Sequence, residues 1–332
     1  MLGLAQDAVA EGARLVGQLA AGLASSEARE SLASSRPHAD PYVDVGVIVL
    51  YSLALFALNW GGRLVLMEPF GRWAMGGGAR STKRVGRKKL SKFAQAGMEF
   101  AFYVTFTVLG LAIVTSQPWA WPSSQWWEGY ADADEPHMLM RDDLRCYYLL
   151  YIARYVQGFT SALLEAKRTD FLEMLLHHTV TVAVCCISYF FGFNRVGVIV
   201  MFVLDPADVP LHLAKMFKYA GHAFCADRFF ELFALMWLVM RLMMYPYICW
   251  SAHIEREQVL GFSGAKELTC VGLLYILLGL QVYWFHLIIR TAIRMMREGA
   301  ASDVRSDDDT DDDEGEPPVS TRTRAKAKKK AQ

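Results

Sequence analysis

Two short segments of an otherwise apolar sequence carry side chains that can exchange protons. In the first, DFLEMLLHHTVTV, the imidazoles of His177 and His178 are adjacent. In the second, VLDPADVPLHLAK, the carboxylates of Asp205 and Asp208 are three residues apart. A carboxylate behind an imidazole fixes its tautomer and makes it more basic, so that it can deprotonate an amine or alcohol, or be acylated itself. These residue types therefore favour acid–base or nucleophilic catalysis.

Helical spacing places these groups on shared faces. Glu173 and His177 are four residues apart and stack on one side of a helix, while the second imidazole of the pair points about 100° away. Asp205, Asp208 and His212 follow one another at helical spacing and form a single polar stripe. Ionisable groups inside a membrane cost about 2.5–3.5 kcal/mol each and usually mark function, so both faces are candidates for a site.

The two segments are predicted to lie at similar depths in the membrane. His177 lies about 9–11 Å from the start of its predicted helix, and Asp208 lies about 13 Å from the end of the next one. The loop FGFNR between them is short, so the two helices should pack as antiparallel neighbours and bring the histidines to the aspartates. Pro206 and Pro210 should bend the second helix and free backbone carbonyls that need other partners.

Three other uses of these residues remain open. The imidazoles can serve only as hydrogen-bonding contacts between helices. Buried Asp and His can also form a proton relay in a transporter. The two histidines and two aspartates could hold one zinc ion, but adjacent imidazoles diverge by about 100°, which makes joint chelation awkward, and we predict no metal site. Supporting polar roles are predicted for Asp170, Glu173, Thr181 and His212.

The surrounding sequence is typical of a multi-span membrane protein. Hydrophobic residues make up 54% of the 332 residues, and 34 basic residues balance 34 acidic ones, so we expect no nucleic-acid partner. Apolar runs of about 20 residues are long enough to cross a bilayer. A weaker pattern over 4–23 predicts an amphipathic surface helix. The predicted spans, about seven in all, are 43–66, 93–115, 143–164, 171–191, 194–217, 229–251 and 268–293.

Basic residues between the spans predict how the chain is oriented. The Arg- and Lys-rich loop after the first span is expected in the cytosol, and the acidic, Trp-rich segment 116–142 is expected in the lumen. Seven spans then place the N-terminus in the lumen and the C-terminus in the cytosol. The predicted units are a lumenal segment with the amphipathic helix over 1–42, a first span over 43–66, a basic loop over 67–92, a helical domain over 93–295 and a tail over 296–332.

The tail carries two candidate signals. The block SDDDTDDDEGE cannot form a core and is predicted to be disordered, and Ser306 and Thr310 precede acidic residues, as targets of an acid-directed kinase do. Lys329 and Lys330, close to the C-terminus, fit a dilysine retrieval signal of the endoplasmic reticulum. An unmodified acidic tail and a chance Lys-rich end are the alternatives.

The segments KRTDFLEMLLHHTVT and LDPADVPLHLAKMFKYAG resemble the Lag1 motif of the ceramide synthases, within the TRAM–Lag1–CLN8 family of membrane domains. The flanking segments KFAQAGMEFAFYVTFTVLG and QVYWFHLIIR are also similar, and the resemblance covers about residues 90–295. It implies an all-α polytopic fold in which six helices form a bundle around a lipid cavity. It also implies that His177, His178, Asp205 and Asp208 are catalytic.

The resemblance implies a reaction and its partners. A fatty acyl group would pass from acyl-CoA to the amine of a sphingoid base, without a further cofactor, in the membrane of the endoplasmic reticulum. Lys167, Arg168, Lys215 and Lys218, expected on the cytosolic side, would contact the CoA phosphates. A homodimer, a heterodimer or a small regulatory subunit is a further expectation. The alternative is a non-enzymatic family member, translocon-associated or lipid-sensing, which should lack the His pair and the aspartates.

The second segment departs from the family pattern in places. Leu204, Ala207 and His212 stand where relatives often have His, Ser and Glu, and the two prolines are unusual. These departures affect local geometry and leave the four implied catalytic residues intact. In the family the last lumenal loop, here 252–267, affects the choice of acyl chain, but its sequence does not predict a chain length.

Overall fold

The structure is a computed structural model that describes residues 2–25, 28, 40–76, 86–129, 140–165, 170–261 and 264–298. Every regular element in these ranges is a helix, in agreement with the predicted all-α fold. The helices are α1 (Leu2–Ala24), α2 (Pro41–Ala74), α3 (Arg87–Thr115), α4 (Asp142–Leu164), α5 (Phe171–Phe190), α6 (Asn194–Leu204), α7 (Asp208–Ala220), α8 (Ala223–Leu260) and α9 (Ala265–Glu298).

Within the described residues, six stretches of helix are long and apolar enough to cross a membrane, with α6 and α7 together forming one of them. The predicted span over 143–164 is present as α4 but does not belong to this set. Its tyrosines, Arg154 and Gln157 make it less apolar than the others. α4 packs against α1, α2 and α5, which cover it, and its Arg145 and Arg154 form ion pairs with Asp44 of α2 and Glu99 of α3.

α8 is longer than predicted. The predicted loop over 252–267 is wrong in its first part, because the helix continues to Leu260 and ends at Gly261, whose φ of +72° favours glycine. π-turns at Met240–Met244 and Ser251–Glu255 interrupt its regular hydrogen bonding without ending it. Pro246 follows the first π-turn and has no amide hydrogen to donate to a regular helix.

The amphipathic helix predicted over 4–23 forms as α1. It packs against α2 and α4 and buries Leu15 and Leu19. Arg14 pairs with Asp142 at the start of α4, at 2.6 Å between Nη1 and Oδ2. The helix is therefore fixed to the bundle by ion pairs as well as by apolar contacts.

The bend predicted from the prolines of the second segment is confirmed. α6 ends at Leu204, α7 begins at Asp208, and the residues between them form a turn. The amide of Asp208 donates to the carbonyl of Asp205 at 3.0 Å, a tighter turn than that of an α-helix. This interruption lies inside the bundle, with both aspartates buried.

Candidate active site

The adjacent histidines project from α5 toward α4 and α9. His177 meets Trp284 of α9 edge to face, with ring centroids 5.2 Å apart, and both imidazoles meet Tyr155 of α4 at 5.8 and 5.7 Å. Both histidines are half-buried, and the Nδ1 atom of each is buried without a hydrogen-bond partner in the described part of the chain. The ring contacts of both imidazoles are with aromatic side chains.

Small and charged residues of α4 shape the surroundings of His178. A Cβ atom on Gly158 would lie 3.1 Å from Cε1 of His178, so the glycine makes room for this imidazole. Arg154, one turn earlier, pairs with Glu99 of α3 and donates to Oε1 of Gln157 at 2.8 Å. A guanidinium with fixed partners therefore lies beside the imidazole.

Asp205 is connected to the histidines through two tyrosines. Tyr151 donates its hydroxyl hydrogen to Oδ1 of Asp205 at 3.0 Å. The hydroxyl oxygen of Tyr155 lies 3.5 Å from that of Tyr151, and the ring of Tyr155 contacts both imidazoles. The carboxylate and the imidazoles thus line one interior region with the two tyrosines between them.

The predicted direct meeting of histidines and aspartates is wrong. α5 packs mainly against α4 and α9, whereas α7 packs mainly against α3 and α8. Within the described residues, neither His177 nor His178 hydrogen-bonds a carboxylate. Asp208 instead forms an ion pair with Arg241 of α8. The short connection joins α5 to α6, but the interruption after Leu204 gives α7 other neighbours.

The supporting residues occupy different positions around the site. Thr181 is buried, and its Oγ1 atom has no hydrogen-bond partner within the ranges that the structure describes. His212 stacks on Tyr103 of α3 with ring centroids 5.3 Å apart. Glu173 is half-buried and accepts a hydrogen bond from the Tyr283 hydroxyl at 3.3 Å. Of these three, only Thr181 lines the cavity described below.

The remaining predicted positions lie at the ends of helices. Asp170 is 4% exposed and immediately precedes α5. Lys215 and Lys218 are half-buried in the last turns of α7. Lys167 and Arg168 lie outside the described residues, so the predicted basic rim is described only in part.

An apolar cavity opens beside the site between α4, α5, α6 and α9. Its volume is about 30 Å³. Tyr151, Thr181 and Leu204 line the end that is nearest the aspartates, and Ser188 and Gly197 line the other end. Its apolar lining suits a hydrocarbon group, but a whole acyl chain needs far more space than this.

Four residues in contact with the site were not predicted from the sequence. They are Tyr151, Tyr155, Arg154 and Arg241. The two arginines carry charge inside predicted spans, which is the same signal that singled out the histidines and aspartates. The tyrosines give no such signal, because Tyr is also a common packing residue. Groups of three or more His, Cys, Asp or Glu that could hold a metal ion are absent from the part of the chain that the structure describes.

Comparison with known proteins shows which family the sequence matches. A sequence profile of the TLC domain, the TRAM–Lag1–CLN8 domain, matches residues 92–290. Alternaria stem canker resistance protein 1 of Solanum lycopersicum is 32% identical over 68% of the chain and 76% of its own length. Ceramide synthase 1 LOH3 of Arabidopsis thaliana is 30% identical over 72% and 80%. Ceramide synthase 5 of Homo sapiens is 33% identical over 66% and 55%.

Proposed function

Because the chain belongs to the TLC domain family, we propose that it is a ceramide synthase, which transfers a fatty acyl group from acyl-CoA to the amine of a sphingoid base. The names of its relatives support this function, and the matched region includes the histidine pair and both aspartates. One observation connects this function with particular residues. Two imidazoles, whose Nδ1 atoms have no hydrogen-bond partner among the described residues, are connected to the buried Asp205 carboxyl group through Tyr155 and Tyr151, and Tyr151 also lines an apolar cavity.

The reaction needs a group that handles protons and the thioester. The amide N–C bond forms as the thioester C–S bond breaks. The protonated amine loses two protons, one of which goes to the CoA sulfur while the other is released. In our proposal His177 either takes a proton from the amine or attacks the thioester carbon to give an acyl-imidazole that the amine then opens. His178 orients the pair or carries the proton away.

The aspartates support this chemistry from a distance. In the proposed arrangement Asp205 stabilises positive charge on the imidazoles through Tyr151 and Tyr155, which connect the two groups. This revises the predicted role in which both carboxylates hold the imidazoles directly. Asp208 acts together with Arg241. No cofactor beyond the co-substrate acyl-CoA takes part in the proposed reaction.

The two ends of acyl-CoA need different surroundings. We assign the start of the acyl chain to the apolar cavity lined by Tyr151 and Thr181, which must widen to hold a whole chain. The CoA head stays at the basic end of the bundle, where Lys215 and Lys218 can contact its phosphates. This arrangement buries the hydrocarbon chain, which is favourable, and leaves the charged phosphates in water, which avoids the cost of burying them.

The proposed location follows from the charges on the sequence. We place the chain in the endoplasmic reticulum membrane, with the N-terminus in the lumen and the C-terminus in the cytosol. Lys329 and Lys330, which lie outside the described residues, serve as the retrieval signal in this proposal. A second copy of the chain or a small regulatory subunit is part of the same proposal.

An N-acylation assay with purified protein tests this function. It uses sphinganine and acyl-CoAs of several lengths, with wild type, His177→Ala and the control His286→Ala, a histidine on the exposed face of α9. Wild type and His286→Ala should form the amide, and His177→Ala should lose about 100- to 10,000-fold in kcat. Acyl-enzyme trapped without sphinganine would identify the covalent route.

Two outcomes would contradict the proposal. Wild-type turnover by His177→Ala would remove this histidine from the mechanism. Absence of amide from folded wild type at every chain length, even with membrane extract added to supply a missing subunit, would support a non-enzymatic protein.

A further inference from the structure

The turn between α6 and α7 leaves a backbone carbonyl that needs a partner. The amide of Asp208 bonds to the carbonyl of Asp205, so the carbonyl of Leu204 loses its usual helical donor. Leaving such a group unpaired in the interior is energetically unfavourable. Arg241 of α8 fills this role, because its Nε and Nη2 atoms donate to the Leu204 carbonyl oxygen at 3.1 and 2.6 Å.

The rest of the Arg241 guanidinium joins two further elements. Nη2 forms an ion pair with the Asp208 carboxylate at the start of α7. Nη1 donates to Oε1 of Gln281 in α9 at 3.1 Å. The guanidinium carbon lies 4.1 Å from the centre of the Trp237 ring. One side chain thus fixes the end of α6, the start of α7 and the middle of α9 relative to one another.

The contacts of Arg241 continue to the histidine pair. The indole N–H of Trp237 donates to the backbone carbonyl of Gln281 at 3.3 Å. Trp237 and Trp284 meet edge to face, with an interplanar angle of 87°. Trp284 in turn meets His177 edge to face. A chain of ring contacts through Trp284 and Trp237 therefore connects His177 to Arg241.

The backbone around Arg241 is unusual as well. The residue lies in the π-turn Met240–Met244, a rare form of helix that often occurs at functional sites. Its side chain is buried, and a buried charge in a membrane-spanning helix is expensive. Both features indicate that the arginine is kept for more than packing.

We propose that Arg241 is a positioning residue for acyl transfer, which fixes the Asp208 carboxylate and, through Trp237 and Trp284, the orientation of His177. This inference rests on the proposed function, because it concerns the same site. Within the described residues, Arg241 forms hydrogen bonds with Leu204, Gln281 and Asp208 and a ring contact with Trp237. It does not contact the imidazoles in these interactions, so it acts on them through its neighbours.

Kinetics of three variants test this role. Arg241→Gln should lower kcat about 100-fold, because small misplacements of reacting groups have effects of that order, while KM for acyl-CoA changes less than about threefold. Arg241→Lys keeps the charge but lacks the planar guanidinium, so its kcat should be roughly tenfold higher than that of Arg241→Gln and still below that of wild type. The control Arg228→Gln, which breaks an exposed ion pair with Glu231 on the same helix, should match wild type.

A double variant separates positioning from a general loss of structure. Rates are measured per folded molecule, after size-exclusion chromatography. Asp208→Asn combined with Arg241→Gln should lose less than the product of the two single losses, because both remove one interaction. Multiplicative losses would contradict the proposed coupling.

The remaining outcomes also decide the question. Wild-type kcat in Arg241→Gln, or a loss confined to KM, would overturn the inference. If that variant does not fold, Gln281→Leu, which removes a single guanidinium contact, must still lower kcat at constant KM for the inference to stand. Activity in His177→Ala would instead refute the proposed mechanism, so the two failures are distinguishable.

Discussion

Two groups of buried polar side chains lie along α4, and they differ in how completely they are paired. The first, here called the paired network, lies near the start of α4. Arg145 is 5% exposed and forms ion pairs with Asp44 of α2 and Glu11 of α1. Tyr189 of α5 donates to Asp44 at 2.8 Å and accepts from Arg145 at 3.2 Å. The network consists of Glu11, Arg14, Asp44, Asp142, Arg145 and Tyr189.

The candidate active site further along α4 is built differently. Its arginines, Arg154 and Arg241, are paired, but among the described residues the Nδ1 atoms of the histidines and the hydroxyl of Thr181 have no hydrogen-bond partners. Buried polar groups are normally satisfied, so an unsatisfied group calls for an explanation. In the proposed function, a substrate bound beside the imidazoles supplies one.

The comparison separates two uses of buried polarity in one helix. Complete pairing across α1, α2, α4 and α5 holds elements together, and its loss should affect folding. Incomplete pairing around the imidazoles leaves atoms free to react, and their loss should affect turnover. Stability and activity measurements on matched variants can therefore test the distinction.

Removing the central charge of the paired network should have the largest effect on stability. Arg145→Met leaves the buried Asp44 carboxylate without its ion pair, which should lower the free energy of unfolding by about 3–5 kcal/mol. Denaturant unfolding in detergent measures this, with Arg72→Met, which breaks an exposed pair with Glu68, as the control. Activity per folded molecule should stay near wild type. A fully stable Arg145→Met that has lost activity would reverse the assignment of the two clusters.

Acid should weaken the paired network through Glu11, which lies on α1, outside the candidate spans. Hydrogen bonds from Arg14, and then from Arg145, lower the pKa of Glu11 to about 2 from its ordinary 4.5. A carboxyl group with a lowered pKa in the folded state adds stability above pH 4.5, and that stability is lost as the pH falls from 4.5 toward 2.

Comparing wild type with Glu11→Gln isolates this effect. The variant should be less stable at about pH 7. The difference in stability should shrink as the pH is lowered through this window, because only wild type has a carboxylate at position 11 that becomes protonated. Unfolding midpoints at several pH values measure it. A difference that does not change between about pH 7 and about pH 3 would show that the ion pairs of Glu11 contribute nothing.

The sequence predicts the parts of the site that depend on local pattern. The spacing of Glu173 and His177 predicts one helical face, and the prolines after Leu204 predict the bend between α6 and α7. Both depend on backbone geometry within a few residues. For the same reason, local pattern alone is enough to predict α5 and the positions of the two histidines along it.

The parts that depend on packing could not be predicted. Direct contact between imidazoles and aspartates requires that sequential helices pack along their whole length, and the turn after Leu204 prevents this. Tyr155 lies between the two groups only because α4 packs against α5, a relation that helical periodicity does not encode. Arg241 is visible in the sequence as a charge inside a span, but only the π-turn and three-dimensional packing give its partners.

Replacing a reactive imidazole should change stability least. His177→Phe preserves the ring contacts with Trp284 and Tyr155 and removes a buried Nδ1 atom that has no partner, so the free energy of unfolding should change by less than about 0.5 kcal/mol or increase. Amide formation should nevertheless be lost. The matched control is Tyr189→Phe on the same helix, which deletes a hydroxyl with two partners and should lower stability by about 1–2 kcal/mol. If His177→Phe were as destabilised as Tyr189→Phe, the imidazole would belong with the structural groups, and incomplete pairing would no longer distinguish the site from the paired network.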